Sequence, residues 1–280
     1  MQHSTIRVGD GAELHVTESG AGAPLVLVPG WSQSAAAFRH QIEAFSQDRR
    51  VIALDMRGHG ASVPPPIGYR IQRLAKDLHD VLAALDLDRP DVMGHSMGCS
   101  VIWSYLSLFE AERPLGRLLL VDQAPAVLAQ PGWDETTRAN AGCLFPDMTA
   151  LADFEAAVRG ATTAAATKEL IRGMFTSAIA EAELDWIARE NVKLPRDLAA
   201  RLLHDHSVLD WRPQIAAIRN RTLVVGAEAS IFSVQSQRWI ADRIPGAELA
   251  ILEAEAGGSH FMFLENPEWF NARVAAFLAG

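Results

Sequence analysis

"DVMGHSMGCSVIW", residues 91–103, sets a serine between two glycines at a joint where one hydrophobic pattern gives way to another. Before it lies a short apolar run, "PDVMG"; after it, "MGCSVIWSYLSLF" reads as a helix. A sharp strand-to-helix turn brings the incoming strand close to the outgoing helix, where side chains at positions 94 and 98 would collide. The apex residue, Ser96, is then held in a strained backbone conformation with its side chain exposed. A nucleophile presented to a substrate gives that strain a purpose.

The flanking chain fits such a turn. "AELHVTESG" (12–20) alternates like a strand, and "PLVLVPG" (24–30) is a continuous apolar run of the kind a buried strand needs. Residues 34–47 show mostly helical spacing, and "RVIALDMRGHG" (50–60) reads as a buried strand entering a glycine-rich turn. "RIQRLAKDLHDVLAALDL" (70–87) is an amphipathic helix with Leu74, Leu78, Val81, Leu82 and Leu85 on one face. "RLLLVD" (117–122), "TLVVGAE" (222–228) and "AELAILE" (247–253) read as strands, "VQSQRWIADRI" (234–244) and "NPEWFNARVAAFLAG" (266–280) as helices. Strands alternating with helices predict a mostly parallel sheet covered on both faces, an α/β fold.

Strand signals vanish from residue 125 to about 212. This alanine-rich stretch carries Trp133, Phe145, Phe154, Met174, Phe175, Trp186 and Trp211. Most of these aromatics are expected to pack its own small core. A helical insertion at the carboxyl edge of a parallel sheet also roofs the ligand crevice, so Trp133, Phe145, Phe175 and Trp186 are candidate pocket residues. The expected division is a core of residues 1–124 and 213–280 with a helical cap over 125–212.

Composition narrows the partners. With 280 residues and 49% hydrophobic content, the chain can bury a sizeable core. A formal charge of -9 argues against nucleic acid or an anionic membrane surface, which need a basic face, and leaves a small-molecule substrate. The opening residues lack a signal-peptide layout, and no apolar stretch reaches membrane-spanning length. Cys99 and Cys143 form no framework or metal spacing, so a reducing cytoplasm is the expected setting. The three residues "HDH" (204–206) on one helix cannot all face one ion, and no metal is expected. The glycines of 58–60 make no dinucleotide loop, and there is no phosphate-binding lysine loop, so no cofactor is expected either. Nothing in the chain speaks to its oligomeric state.

"GGSHFMFLENP" (257–267) places His260 in a loop after the last strand, where a general base must reach back to the serine. Here "LVPGW", "DMRGHGAS", "GHSMG", the histidine loop and the helical stretch after "VDQAP" together resemble the α/β-hydrolase superfamily over nearly the whole chain. The resemblance implies Ser96 as nucleophile, His260 as base and the backbone N–H groups of Trp31 and Met97 as oxyanion hole. Most relatives place their acid three residues past a glycine on the later strand, but there Gly226 is followed by Ala229, with Glu228 one place early. Asp122 ends the strand after the nucleophile's helix and is favoured, because the strand terminus fixes its position; Glu228 is the alternative. Asp55 and Arg57 are expected to order their loop, and His95 to pack or hydrogen-bond beneath the nucleophile.

The expected activity is a serine hydrolase acting on a small, apolar or aromatic ester or lactone through an acyl-enzyme. The alternative is a cofactor-independent dioxygenase, because "PGWSQ", the acid after "LLLV", "QPGW" and "GGSHF" are similar to enzymes that open 3-hydroxy-4-oxoquinoline rings. In those the histidine deprotonates the substrate and the serine only helps bind it. A ligand receptor on a hydrolase fold is a third, minor reading.

Overall fold

A computed structural model describes residues 1–280. Its eight strands are β1 (Gln2–Arg7), β2 (Glu13–Ser19), β3 (Ala23–Val28), β4 (Arg49–Leu54), β5 (Asp91–His95), β6 (Leu118–Val121), β7 (Thr222–Ala227) and β8 (Glu248–Leu252). They form one sheet in the order β1-β2-β4-β3-β5-β6-β7-β8. Neighbours from β4 onward all pair parallel, while β1 and β2 add an antiparallel edge. The fold is the α/β-hydrolase fold, as expected.

Period-two alternation divides each central strand between two cores. Val26 and Val28, Ile52 and Leu54, and Leu118 and Leu120 face one. Leu25 and Leu27, Val51 and Ala53, and Leu119 and Val121 face the other. The first core is closed by α2 (Ile71–Ala84) and α3 (Met97–Leu108), the second by α1 (Arg39–Phe45) and α12 (Pro267–Ala279). Both faces being covered explains why these strands read as unbroken apolar runs. β1 gave no such signal: only Ile6 of its six residues is buried.

Between β6 and β7 the chain builds only helices: α4 (Glu135–Ala141), α5 (Met148–Gly160), α6 (Ala164–Ile171), α7 (Glu181–Asn191), α8 (Arg196–Ser207) and α9 (Arg212–Ala217). Asp134, Asp147 and Thr163 cap the first three by accepting from a backbone N–H in the first turn. Helix α9 packs against α3 and so returns the chain to the core.

The turn from β5 to α3 sets the site. Ser96 has φ +52° and ψ −127°, a region non-glycine residues rarely occupy. A Cβ at Gly94 would lie 2.7 Å from the Gly98 carbonyl carbon, so the incoming strand does touch the helix. A Cβ at Gly98 would strike the Val28 carbonyl of β3, the neighbouring strand, not β5. Helix α3 therefore starts in backbone contact with β3. Gly98→Ala should destabilise the protein by about 3 kcal/mol or more, because backbone cannot yield as a side chain can. Gly160→Ala, at the end of α5 with open space around it, should be neutral or stabilising by up to ~1 kcal/mol. Urea unfolding of both variants checks the contrast.

Candidate active site

The functional candidates gather at the carboxyl ends of the parallel strands, where such sheets form their crevice. Trp31 follows β3, Ser96 follows β5, Asp122 follows β6, and His260 lies in the loop beyond β8. The main chain has five non-glycine residues at positive φ, and three of them, Ser32, Ser96 and Asp122, sit here. Strain is concentrated at the site.

His260 is held from three sides. Its Nδ1 lies 2.6 Å from Asp122 Oδ2, its backbone N–H donates to the Met174 carbonyl (3.1 Å), and its own carbonyl accepts from His95 Nε2 (2.9 Å). A carboxylate facing Nδ1 fixes the proton on that nitrogen and leaves Nε2 as the free ring nitrogen. The His95 ring packs 4.6 Å from that of His260, centroid to centroid, so His95 supports the His260 loop, whereas the sequence reading puts it beneath Ser96. Asp122 is fully buried, and Ser230 donates to the same Oδ2. Burial raises the Asp122 carboxyl well above its usual range, with the Ser230 hydrogen bond opposing. Burial pushes the His260 imidazole below its ordinary value and keeps it neutral at rest, while the Asp122 oxygen at Nδ1 works the other way and favours a protonated ring. Glu228 is exposed and accepts from Ala254 N–H (3.2 Å), so Asp122 is the acid on the imidazole.

Ser96 is half-buried and lines the same cavity as His260, a narrow space of about 50 Å³. Met97 opens α3, so its N–H lies at the positive end of the helix. The loop carrying the Trp31 amide lies against the serine: a Cβ on Gly30 would be 3.1 Å from Ser96 Cβ. That loop is tied at two points. Trp31 Nε1 donates to the Ala199 carbonyl of α8 (2.8 Å), and Ser32 N–H donates to His59 Nε2 (3.1 Å). Asp55 accepts from Ala35 and Ala61 N–H, while Arg57 pairs with Asp77 and Asp10, so both order loops.

The four aromatics expected in the pocket do not line it. Trp133 lies under the Arg212 guanidinium (4.0 Å) and Trp186 under Arg39 (4.5 Å), each half-buried at the surface. Phe145 packs on Phe154, and Phe175 stacks on Phe261. Phe154 and Phe261 are the ones that reach the cavity, together with Leu203 and Phe232. Phe145 and Phe175 stand one layer back.

Three polar lining residues escaped the sequence reading: Gln33, Asn191 and His206. A signal existed for two of them. The buried stripe of α7 runs Leu184, Ile187, Ala188, Asn191, and that of α8 runs Ala199, Leu202, Leu203, His206. Each run ends in a polar residue after three apolar ones. The "HDH" side chains go three ways: His204 to Glu155 (2.7 Å), Asp205 to the Ile71 N–H of α2 (2.8 Å), His206 into the cavity.

The alpha/beta hydrolase fold family matches residues 23–267. The chain belongs to that family. Among curated relatives, a soluble epoxide hydrolase of Corynebacterium sp. (strain C12) is 33% identical over 119 residues, 42% of this chain. The match spans only 41% of that relative's length. The AB hydrolase superfamily protein YisY of Bacillus subtilis (strain 168) is 26% identical over 97% of both chains. Among solved structures, the esterase EaEST from Exiguobacterium antarcticum superposes with a TM-score of 0.88 over the full length of both chains, at 21% identity. No helix is long and apolar enough to cross a membrane.

The buried histidines make stability pH-dependent. Burial lowers His59 and His206 to about 4 and His260 to about 3. In the unfolded chain they titrate near 6.5, so the unfolded state binds more protons as pH falls. Their contribution is fully present above pH 6.5 and is lost between there and about pH 4, at up to ~1.4 kcal/mol per pH unit for each. Asp122, with its raised pKa, opposes this in part. The urea midpoint should fall steadily from pH 7 to pH 5; a flat profile would show that these imidazoles titrate normally.

Proposed function

We propose that this protein is a serine hydrolase that cleaves a small, largely apolar ester or lactone through an acyl-enzyme. The observation that carries this reading is the imidazole of His260, with Nδ1 engaged by Asp122, lining one cavity with a serine raised on a strained turn. Ser96 Oγ adds to the carbonyl carbon as its proton passes to His260 Nε2. The Trp31 and Met97 N–H groups receive the oxyanion, each worth roughly 3 kcal/mol of barrier in such sites. His260 then protonates the leaving alcohol, and water hydrolyses the acyl-enzyme by the same steps. Asp122 stabilises the imidazolium that forms transiently.

The helices of residues 125–212 act as a cap in this reading, since Leu144, Phe154, Leu203 and their neighbours close the cavity from above. A volume of about 50 Å³ holds only a few waters, so an ester either displaces part of the lining or extends out through the open side of the cavity. The esterase likeness supports acyl chemistry. The epoxide hydrolase likeness is less compatible, because a serine that opened an epoxide would be left as an ether, which has no carbonyl for water to attack.

One observation favours a second reading. The acid on His260 comes from the end of β6, the place that drew the comparison with the cofactor-independent dioxygenases. In that chemistry the substrate anion attacks oxygen and Ser96 only donates a hydrogen bond. Ser96→Ala separates the two. As covalent nucleophile its loss should lower turnover by roughly 10⁴-fold; as a hydrogen-bond partner, by about 10- to 100-fold. The assay uses aryl esters, lactones and a 3-hydroxy-4-oxoquinoline with and without oxygen, with intact-mass detection of an acyl adduct on Ser96. A mild loss, no adduct and an absolute need for oxygen would overturn the hydrolase; no turnover of any substrate would leave the receptor.

A further inference from the structure

Three buried side chains that line the cavity carry polar atoms that the proposed acyl transfer does not use. Asn191 Nδ2, Gln33 Oε1 and His206 Nδ1 have no hydrogen-bond partner, and their residues are only 1%, 3% and 5% exposed. A buried polar atom without a partner carries its whole desolvation cost, and native proteins keep few of them. Three around one cavity mark a place where something else completes the bonding.

The chemistry of the Asn191 side chain fixes which way it points. Arg196 Nη1 donates to Asn191 Oδ1 (3.1 Å) and to its backbone carbonyl (3.0 Å). A guanidinium has no acceptor, so the amide atom against it is the oxygen and Nδ2 is the atom left over. Arg196 is itself buried, lies over the Trp31 ring at 5.5 Å, and donates through Nε to the Val158 carbonyl. No carboxylate pairs with it, and burial lowers it to about 10, so it remains charged at neutral pH. A fixed cation on the Asn191 oxygen polarises the amide and strengthens Nδ2 as a donor.

The other two groups complete a donor and acceptor set. Gln33 offers an amide from the loop after β3, with its oxygen unpartnered and no hydrogen bond on its nitrogen. His206 is held neutral by burial, so one ring nitrogen donates and the other accepts. The unpartnered atoms thus include a donor, an acceptor and a ring that can serve as either, with none of the three side chains charged. A carboxylate would use only the donors of this set, whereas a neutral carboxamide engages donor and acceptor together: its carbonyl accepts from Asn191 and its N–H donates to Gln33.

We propose that Gln33, Asn191 and His206 form a recognition subsite for an uncharged carboxamide that the substrate carries away from its scissile bond. The proposal rests on the acyl-transfer reading for the word substrate, but its binding chemistry can be tested without turnover.

Two para-nitrophenyl esters make the kinetic test: that of N-acetyl-β-alanine, and an alkanoate of the same chain length in which apolar groups replace the amide. The ratio of their kcat/KM values should fall roughly 10- to 100-fold, mainly through KM, in Asn191→Leu and in Gln33→Met. A ratio unchanged in both variants, or equal losses on both esters, would overturn the subsite. Acylation of Ser96 by para-nitrophenyl acetate, followed by intact mass, verifies that each variant is folded. If that ester labels no form of the protein, the hydrolase reading fails and calorimetry decides the subsite instead. N-benzylacetamide binding to Ser96→Ala should weaken about 10-fold when Asn191→Leu is added. Equal affinity in the two would refute the subsite whatever the catalytic outcome.

Discussion

Helix α3 can begin where it does only because Gly98 has no Cβ to set against the Val28 carbonyl of β3. That contact seats the helix on two strands at once: β5, which feeds it, and β3, which lies beside it. With the helix seated, the residue at the joint has no relaxed conformation open to it, and Ser96 takes φ +52°. Strain of this kind costs about 1–3 kcal/mol and survives only where its surroundings over-determine it. Here the surroundings are the most deeply buried strands of the sheet. The same contact brings the loop after β3 against Ser96, so the main chains of two elements meet at the serine. The charge system then depends on sheet order, because β6 is the neighbour of β5 and ends in Asp122.

Much of this was legible because it rests on local steric and periodic rules. The glycines around Ser96 announce a close approach whatever packs there, although the partner of Gly98 proved to be a strand nearly 70 residues upstream. Asp122 could be preferred to Glu228 from position alone, since a strand end anchors a side chain and a loop does not. β1 was not legible. Five of its six residues face solvent, and its pairing with β2 owes nothing to a hydrophobic pattern.

The cavity lining was legible only in part, for a related reason. Aromatic residues were weighed by type, but which face of a helix meets the cavity is decided by neighbours far away in sequence. Trp133 and Trp186 each found an arginine at the surface; Phe145 and Phe175 found another phenylalanine that stood nearer the cavity. The informative residues were polar ones out of place in an apolar stripe. Asn191 and His206 end such stripes on α7 and α8, and burying them is a greater departure from expectation than burying a tryptophan.

Two of the hydrogen bonds at this site join the sheet to the helices above it. The Trp31 indole is fastened to the Ala199 carbonyl, and the His260 main chain to the Met174 carbonyl. Lifting those helices to admit a molecule larger than the cavity would unfasten the Trp31 loop and the His260 main chain together. The Trp31 loop and the His260 main chain would behave as two catches of one latch, released together or not at all.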